Sequence, residues 1–437
     1  MILPIVELPR GDATARRAAL ARPALEDQSV LRERMRATLE DVRRRGDAAL
    51  IECAERYDGG APVNLRVPQQ EIDAALVSLT TSARAALQQA IDNVRLFHAA
   101  QRPEPVVLET MPGVRCERVL RPLDSVGLYV PGGSAPLPSA LVMAAIPAEI
   151  AGVPRRILCS PGNRAGRIDP VILATAGLLG LEEVYAIGGG QAIAGLAYGT
   201  QTLPKVAKII GPGSAWVTLA KQLVAQDPLG AALDLPAGPS EVMVVADATA
   251  RPAFVAADLL AQAEHDPLSQ ALLLTPSIEL ARSVREQALR QLESLSRRQI
   301  LERSLVHSRL IVVADLNEAL DLANDYAPEH LLLAVQEPRR WLERVQSAGS
   351  VFLGEWSPEP MGDYCSGTNH ILPTFGYARA YSGLSVIDFI KRITVQELTD
   401  DGLRRLGPTA RTLAQLEGLD AHARAVDIRL QALEASS

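Results

Sequence analysis

SVGLYVPGG, residues 125–133, is a short apolar run that ends in a Gly/Pro turn, and three further stretches repeat its plan: RRILCSPGN (155–163), EVYAIGGGQ (183–191) and AKIIGPGS (207–214). Each is followed by a segment with helical spacing. Strand, turn and helix in alternation give a parallel sheet with right-handed crossovers. Downstream, beyond the break DLPAGPSE (234–241), a second run offers EVMVVAD (241–247), QALLLTP (270–276), SRLIVVAD (308–315), HLLLAV (330–335) and GSVFLGEW (349–356), again with helical patterns between them. The natural reading is two separate α/β sheets. Upstream, the first 120 or so residues are helix-like and charged, with 3.6-residue periodicity over 29–57 and 68–101. The tail from about 381, with KRITVQEL (391–398) and the amphipathic stretch 407–433, reads as mostly helical. It is too poor in apolar residues to form a compact domain alone and should pack on something else.

Composition narrows the class. With 437 residues, 48% hydrophobic and 22% charged, the chain is long enough for two or three globular domains. A net charge of -7 argues against nucleic acid or an acidic membrane, which need a basic face. Arg43-Arg44-Arg45 lies in a mixed-charge helical segment and reads as a solvated face. No basic n-region or small-residue cleavage site opens the chain, and Leu141–Val153, interrupted by Pro147 and Glu149, is too short to span a bilayer. Cys53, Cys116, Cys159 and Cys365 are scattered, without a CxxC pair or a disulfide spacing, so a reduced, cytoplasmic protein is expected. Cys365 reads as a small apolar residue, with a metal or redox role as the second reading.

The Gly-rich turns invite a dinucleotide reading, because a helix N-terminus offers free N–H groups to phosphate. GGGQAIAG has Ile193 where GxGxxG needs its third glycine, and GxxxxGK[ST] is absent. The glycines therefore read first as tight βα turns; any nucleotide would bind in a non-standard way. The six histidines are more informative: His98, His265, His307, His330, His370 and His422. His265 closes LLAQAEHDP with Gln262 three residues earlier, a spacing that puts both on one helical face, before Pro267 stops the helix. Asp363 and His370 share MGDYCSGTNHILPT, and His422 follows Glu417 in EGLDAHARAV. A Gln/His/Asp/His set suits Zn2+ and leaves room for substrate nitrogens. The alternative is a scatter of unconnected histidines, which is the reading kept for His98 and His307. NDYAPEHL places Glu329 and His330 side by side at the mouth of the strand LLLAV, where open sheets can hold acid–base chemistry; a surface Glu-His step is the plainer reading.

VGLYVPGGSAPLPS, GGGQAIAGLAYGT, KIIGPGSAWV, DLPAGPSEV, ADLLAQAEHDP, NDYAPEHL, GSVFLGEWSPE, GDYCSGTNHILPT and EGLDAHARAV occur in that order along nearly the whole chain. Together they resemble the histidinol dehydrogenase family. The resemblance implies zinc-dependent oxidation of L-histidinol, through L-histidinaldehyde, to L-histidine with two NAD+, the last steps of histidine biosynthesis. It makes Gln262, His265, Asp363 and His422 the zinc ligands, Glu329 the activator of water and His330 the general base. Ser240, His370 and Glu417, with His330 and the zinc ligands, become substrate contacts. Tyr129 and Gln191 match positions that touch NAD. Ser214 stands where the family usually has Asn and keeps only one hydrogen-bonding group. The implied fold has two incomplete Rossmann-like domains, the first discontinuous, with small helical arms. On this chain that gives an N-terminal arm at 1–25, an α/β catalytic domain from 26–125 and 238–380, a Rossmann-like domain at 126–237 and a C-terminal dimerisation arm at 381–437. The implied assembly is a homodimer whose active sites are shared between subunits.

Three other readings remain. A paralogue oxidising another small polar alcohol would have little need for Glu417 and His370, which serve an imidazole. A zinc hydrolase would need neither the two sheets nor the Gly-rich turns, and HExxH is absent. A non-catalytic metal module would leave the Glu329–His330 pair without purpose.

Overall fold

The computed structural model describes residues 2–23, 28–132, 135–236 and 238–435. Residues 24–25 of the expected N-terminal arm, Gly133 and Ser134 of the first Gly-rich motif, and Ala237 of the break between the two runs lie outside the described residues. The chain forms two units: residues 1–101 with 124–388, and residues 102–123 with 389–437.

In chain order the strands are β1 (Ile5–Glu7), β2 (Val106–Met111), β3 (Val114–Pro122), β4 (Ser125–Tyr129), β5 (Arg155–Ser160), β6 (Glu183–Ala186), β7 (Lys208–Ile210), β8 (Ala232–Leu233), β9 (Glu241–Ala246), β10 (Gln270–Thr275), β11 (Arg309–Val312), β12 (His330–Ala334), β13 (Ser350–Leu353) and β14 (Ile390–Leu398). The first unit holds two parallel sheets, ordered β6-β5-β4-β7-β8 and β1-β11-β10-β9-β12-β13. The α/β class and both sheets expected from the Gly-punctuated runs are present. With the edge strand β1 set aside, the strand order of each sheet reverses once, between β4 and β7 and between β9 and β12. A crevice opens at such a reversal.

β9 and β10 are buried along their whole length, as central parallel strands covered on both faces must be. Their side chains divide by the two-residue period. Val242, Val244 and Ala246 join a core with Leu259 and Leu260 of the helix Pro252–Ala263, while Met243 and Val245 face Leu320 and Ala323 of the helix Leu316–Tyr326. The helix Pro138–Ala151 is apolar all round and buried over Ala140–Ala148; it starts with Pro at its first position and stops at left-handed Gly152. Among the described residues no helix is long and apolar enough to cross a membrane.

Three details differ from the sequence reading. The N-terminal arm, expected to be helical, also lends an edge strand: β1 pairs with β11, Ile5 opposite Leu310. Met35, Leu39, Val42 and Leu50 share a core with Ile187, Ile193 and Leu196, so these N-terminal helical residues pack with the five-stranded sheet, whereas the sequence reading grouped 26–125 with 238–380. Finally, helix-like character ends near Gln101. β2 and β3 follow, and KRITVQEL, counted with the helical tail, is the strand β14. Its β-branched Ile393, Thr394 and Val395 favour a pleated chain, and it pairs antiparallel with β3 to give the order β14-β3-β2.

That three-stranded sheet and the helices Asp400–Leu416 and Asp420–Ala435 make up the second unit. The helices approach closely where Gly407 meets Val426 and Leu430; a Cβ there would lie 3.2 Å from both side chains. Few large side chains are enclosed, while Val106, Val107, Leu108, Ile393, Val395, Leu413 and Leu416 are exposed.

Candidate active site at the amino edge of the six-stranded sheet

The helix Leu316–Tyr326 ends at Ala327, which adopts the left-handed conformation (φ 54°, ψ 68°) and returns its N–H to the carbonyl of Ala323 at 2.8 Å. Only glycine takes this conformation routinely. The turn throws Pro328 and Glu329 across the start of β12, where His330 pairs opposite Val242. The backbone of Glu241 then holds both members of the pair. Its N–H donates to Glu329 Oε2 at 2.8 Å, and its carbonyl lies 3.2 Å from His330 Nδ1. A carbonyl only accepts, so Nδ1 carries a hydrogen and Nε2 is the nitrogen that gains and loses the titrating proton. Nε2 lies 3.5 Å from Asp363 Oδ1 and 4.0 Å from Glu359 Oε1. The mouth of the strand is its amino end. Open α/β sheets usually place chemistry at the carboxyl ends, so the expectation of a strand mouth holds while the edge is the opposite one.

Burial sets unusual proton affinities here. Enclosure raises Glu329 to about 8, against the opposing charge of His330. Burial alone would lower His330, but Glu329 first and then Asp363 bring it up to about 10. Glu359 is pushed up to about 9 by burial and by the negative charge of Asp363. Burial would raise Asp363 as well; His330 and then His370 instead hold it well below the usual carboxylate range.

One donor atom each from His265, Glu359 and Asp363 comes within 4.8 Å of the others, a grouping able to hold a metal ion. His265 follows the helix Pro252–Ala263, which ends two residues too early for the pair Gln262–His265 to share a helical face. A turn replaces it: the N–H of His265 reaches the carbonyl of Gln262 at 3.3 Å, and Ser304 Oγ donates to the last helical carbonyl, Ala263 O, at 2.6 Å. Gln262 is 1% exposed, and its Oε1 has no hydrogen-bond partner. A buried acceptor left unsatisfied is costly, and a cation would satisfy it. Glu359 and Asp363 stand four residues apart on the helix Glu359–Tyr364, a spacing that brings them together. His370 Nδ1 donates to the carbonyl of Asp363 at 2.8 Å. Ser240 closes the mouth of β9, its carbonyl accepting the N–H of Gln270 at 3.1 Å.

Glu417 and His422 belong to the second unit, at the end of one helix and near the start of the next, and both are exposed. His98 is a core residue, bonded to the carbonyl of Val94 at 2.8 Å and to Asn369 at 3.3 Å. Cys365 lies 3.9 Å from the sulfur of Met361 and is not part of the metal-type group.

The cofactor candidates flank the reversal point of the other sheet. Tyr129 ends β4, and its hydroxyl accepts the N–H of Gly189 at 3.1 Å. Gln191 is buried two residues further along, 3.5 Å from Asp58 Oδ2, which also accepts the N–H of Gly188 at 3.1 Å. This helix start is thus occupied by a carboxylate and a phenol, where a standard fingerprint would seat a pyrophosphate. Ser214 precedes the helix Ala215–Gln226 beyond β7, is exposed, and makes no capping bond with its side chain. Gly211 is pressed against β4: a Cβ there would fall 2.0 Å from the carbonyl oxygen of Tyr129.

The family model of histidinol dehydrogenase matches residues 20–430. The chain belongs to the histidinol dehydrogenase family. It is an oxidoreductase acting on CH–OH. Histidinol dehydrogenase from Vibrio parahaemolyticus is 51% identical over 95% of this chain and 96% of its own length, and that from Vibrio cholerae is 52% identical over 95% of each. The crystal structure of histidinol dehydrogenase from Elizabethkingia anophelis superposes with a TM-score of 0.95 at 42% identity, covering 99% of both chains. Against the histidinol dehydrogenase resemblance, one residue at the site went unremarked in the sequence: Glu359. Its signal was present in SPEPMGD, where Glu and Asp stand at helical spacing.

Proposed function

We propose that the chain oxidises L-histidinol to L-histidine through L-histidinaldehyde, using a bound zinc ion and two NAD+ in the last steps of histidine biosynthesis. The observation that carries this reading is the meeting, at one sheet edge, of the metal-type group with the buried Glu329–His330 pair. Imidazole and oxygen donors suit zinc better than magnesium, and the unpartnered oxygen of Gln262 fits the same purpose. Gln262, His265, Asp363 and His422 would hold the ion. Glu359 is a second candidate ligand, favoured by its place in the group. When bound, zinc supplies a fixed positive charge to which the imidazole and amine of the substrate can bind. NAD supplies the hydride acceptor.

The residues of the chain do the rest. Tyr129, Gln191 and Ser214 would line the cofactor; Ser240, His370 and Glu417 would orient the substrate. His330, held through Nδ1 by Glu241, presents Nε2 to take the hydroxyl proton as the alcohol becomes an aldehyde; a cation at Asp363 would favour the neutral ring this needs, by offsetting one of the charges that raise its affinity. Glu329 then takes a proton from water as it adds to the aldehyde, and His330 serves again when the hydrate is oxidised. Once ionised, a carboxylate whose affinity is raised to about 8 is a stronger base than an ordinary glutamate.

The exposed apolar side chains of the second unit support a homodimer in which that unit is covered by the partner, with Glu417 and His422 completing the partner's site. The four free cysteines suit a cytoplasmic setting. The test is spectrophotometric: NADH is followed at 340 nm with limiting L-histidinol. Two NADH per histidinol, lost with a chelator and regained with Zn2+, is the expected result. One NADH per alcohol, or full turnover by metal-free protein, would overturn the reading.

A further inference from the structure

Behind the Glu329–His330 pair, on the side away from the metal-type group, lies a second charged pair with no place in the chemistry above. Glu241 is 2% exposed, and its carboxylate is gripped by Arg22, whose Nη2 donates to Oε2 at 3.0 Å while Nε donates to Oε1. The N–H of Phe375 adds a third bond to Oε1 at 3.1 Å. The same Arg22 Nη2 donates to the carbonyl of Tyr326 at 2.8 Å, and the guanidinium lies 3.8 Å above the Tyr326 ring. That carbonyl is one of the last in its helix, the peptide before the left-handed turn at Ala327. Arg22 therefore ties together two pieces of backbone: the start of β9, whose peptide groups hold Glu329 and His330, and the end of the helix that delivers them.

The anchor is itself fixed. The carbonyl of Ala21 accepts from Gln270 Nε2 at 2.9 Å and from Arg309 Nη1 at 3.1 Å. Gln270 Oε1 in turn accepts the hydroxyl of Tyr326 at 2.7 Å. A planar fork matched to a carboxylate, with a spare donor for a carbonyl, is a task lysine cannot fully perform. A buried carboxylate deprived of its cation is strongly unfavourable, so losing Arg22 would force the Glu241 segment to move.

We infer that Arg22 and Glu241 are positioning residues: they set the Glu241 peptide that fixes the orientation and tautomer of His330 and the seat of Glu329. The inference rests on the proposed roles of Glu329 and His330. An error of about 1 Å in such a site costs about 10²-fold in rate.

The test measures kcat and KM with Arg22→Ala, Arg22→Lys and Glu241→Gln in the full chain loaded with Zn2+, each alone and combined with His330→Asn. Arg22→Ala is expected to lower kcat by about 10²-fold with KM for NAD+ within about two-fold, and Arg22→Lys to recover part of the loss. On the His330→Asn background the same change should cost alcohol oxidation less than about two-fold, because in that half-reaction the residue acts through His330. Imidazole 15N shifts of His330, taken at the alkaline limit of its titration where the ring is neutral, should report Nδ1–H in the parent and a mixture of tautomers in Arg22→Ala. Unchanged kcat and tautomer in Arg22→Ala, or an equal loss on both backgrounds, would overturn the inference. If Arg22→Ala fails to fold, Glu241→Gln, equal in shape but uncharged, carries the same arms. Full activity of His330→Asn alone would instead remove the catalytic reading beneath the inference, an outcome recognisable without any change at Arg22.

Discussion

Replacing Glu329 with Gln changes charge without changing shape. The amide oxygen can still accept the N–H of Glu241, now 2.8 Å from Oε2, so the turn need not move. What disappears is the negative charge that Glu329 carries once it ionises, at about 8, 3.6 Å from His330 Nδ1. Through an effective dielectric of about 20, a charge at 3.6 Å is worth roughly 4.6 kcal/mol, a little over three decades in proton affinity. His330, now held at about 10 chiefly by Glu329, should fall toward neutrality, as an NMR titration of the metal-free protein can show. A neutral imidazole is the form that removes a proton, so alcohol oxidation should be largely spared. Aldehyde oxidation loses its water activator and should slow by about 10²-fold. Stopped-flow absorbance at 340 nm, begun separately from histidinol and from the aldehyde, reads the two halves apart. His330→Asn should impair both, each by about 10²-fold or more. Equal slowing of both halves in Glu329→Gln, or an unmoved His330 titration, would refute the division of labour.

His265 is 38% exposed, so His265→Asn should lower zinc content sharply while shifting Tm little, as metal analysis and calorimetry can establish. Burial lifts Asp258 to about 7 despite the N–H of Glu359, whereas the unfolded side chain ionises near pH 3.9. Between those values the folded chain keeps a proton that the unfolded chain has released, so stability of the metal-free protein falls as pH rises from about 4 to 7. Asp258→Asn should remove the Asp258 share of that slope, at most about 4 kcal/mol, in denaturant titrations across the range. Mixed dimers of His330→Asn and His422→Asn subunits should recover activity from two inactive parents if the second unit serves the partner's site; no recovery in dimers shown by mass to be mixed would exclude the sharing.

Strands β4–β7 and β9–β13 were legible because buried parallel strands are continuous apolar runs, closed in β4–β7 by Gly- or Pro-rich turns. β14 was not, because Lys391, Arg392 and Glu397 leave KRITVQEL only a short apolar stretch, and its antiparallel partner β3 is far away in the chain. The chemistry-bearing residues could be named one by one, yet their meeting could not be read: His265 reaches Asp363 by a turn, not by the helical face its spacing suggested. Glu359 escaped because a glutamate beside two prolines resembles a loop residue until the short helix around it is seen. Arg22 lies more than 200 residues from Glu241, and no local pattern pairs them.

Ala327 makes a different demand on the chain. A side chain in the left-handed region, followed by proline, stores about 1–3 kcal/mol that a glycine would release. Selection for heat tolerance alone would therefore exchange Ala327 for Gly early, since relief of such strain is among the easiest gains open to a folded chain. Glycine would also free the hinge from which Glu329 hangs. The heat-tolerant descendant would survive incubation better and turn over more slowly, a compromise between endurance and speed lodged in one methyl group.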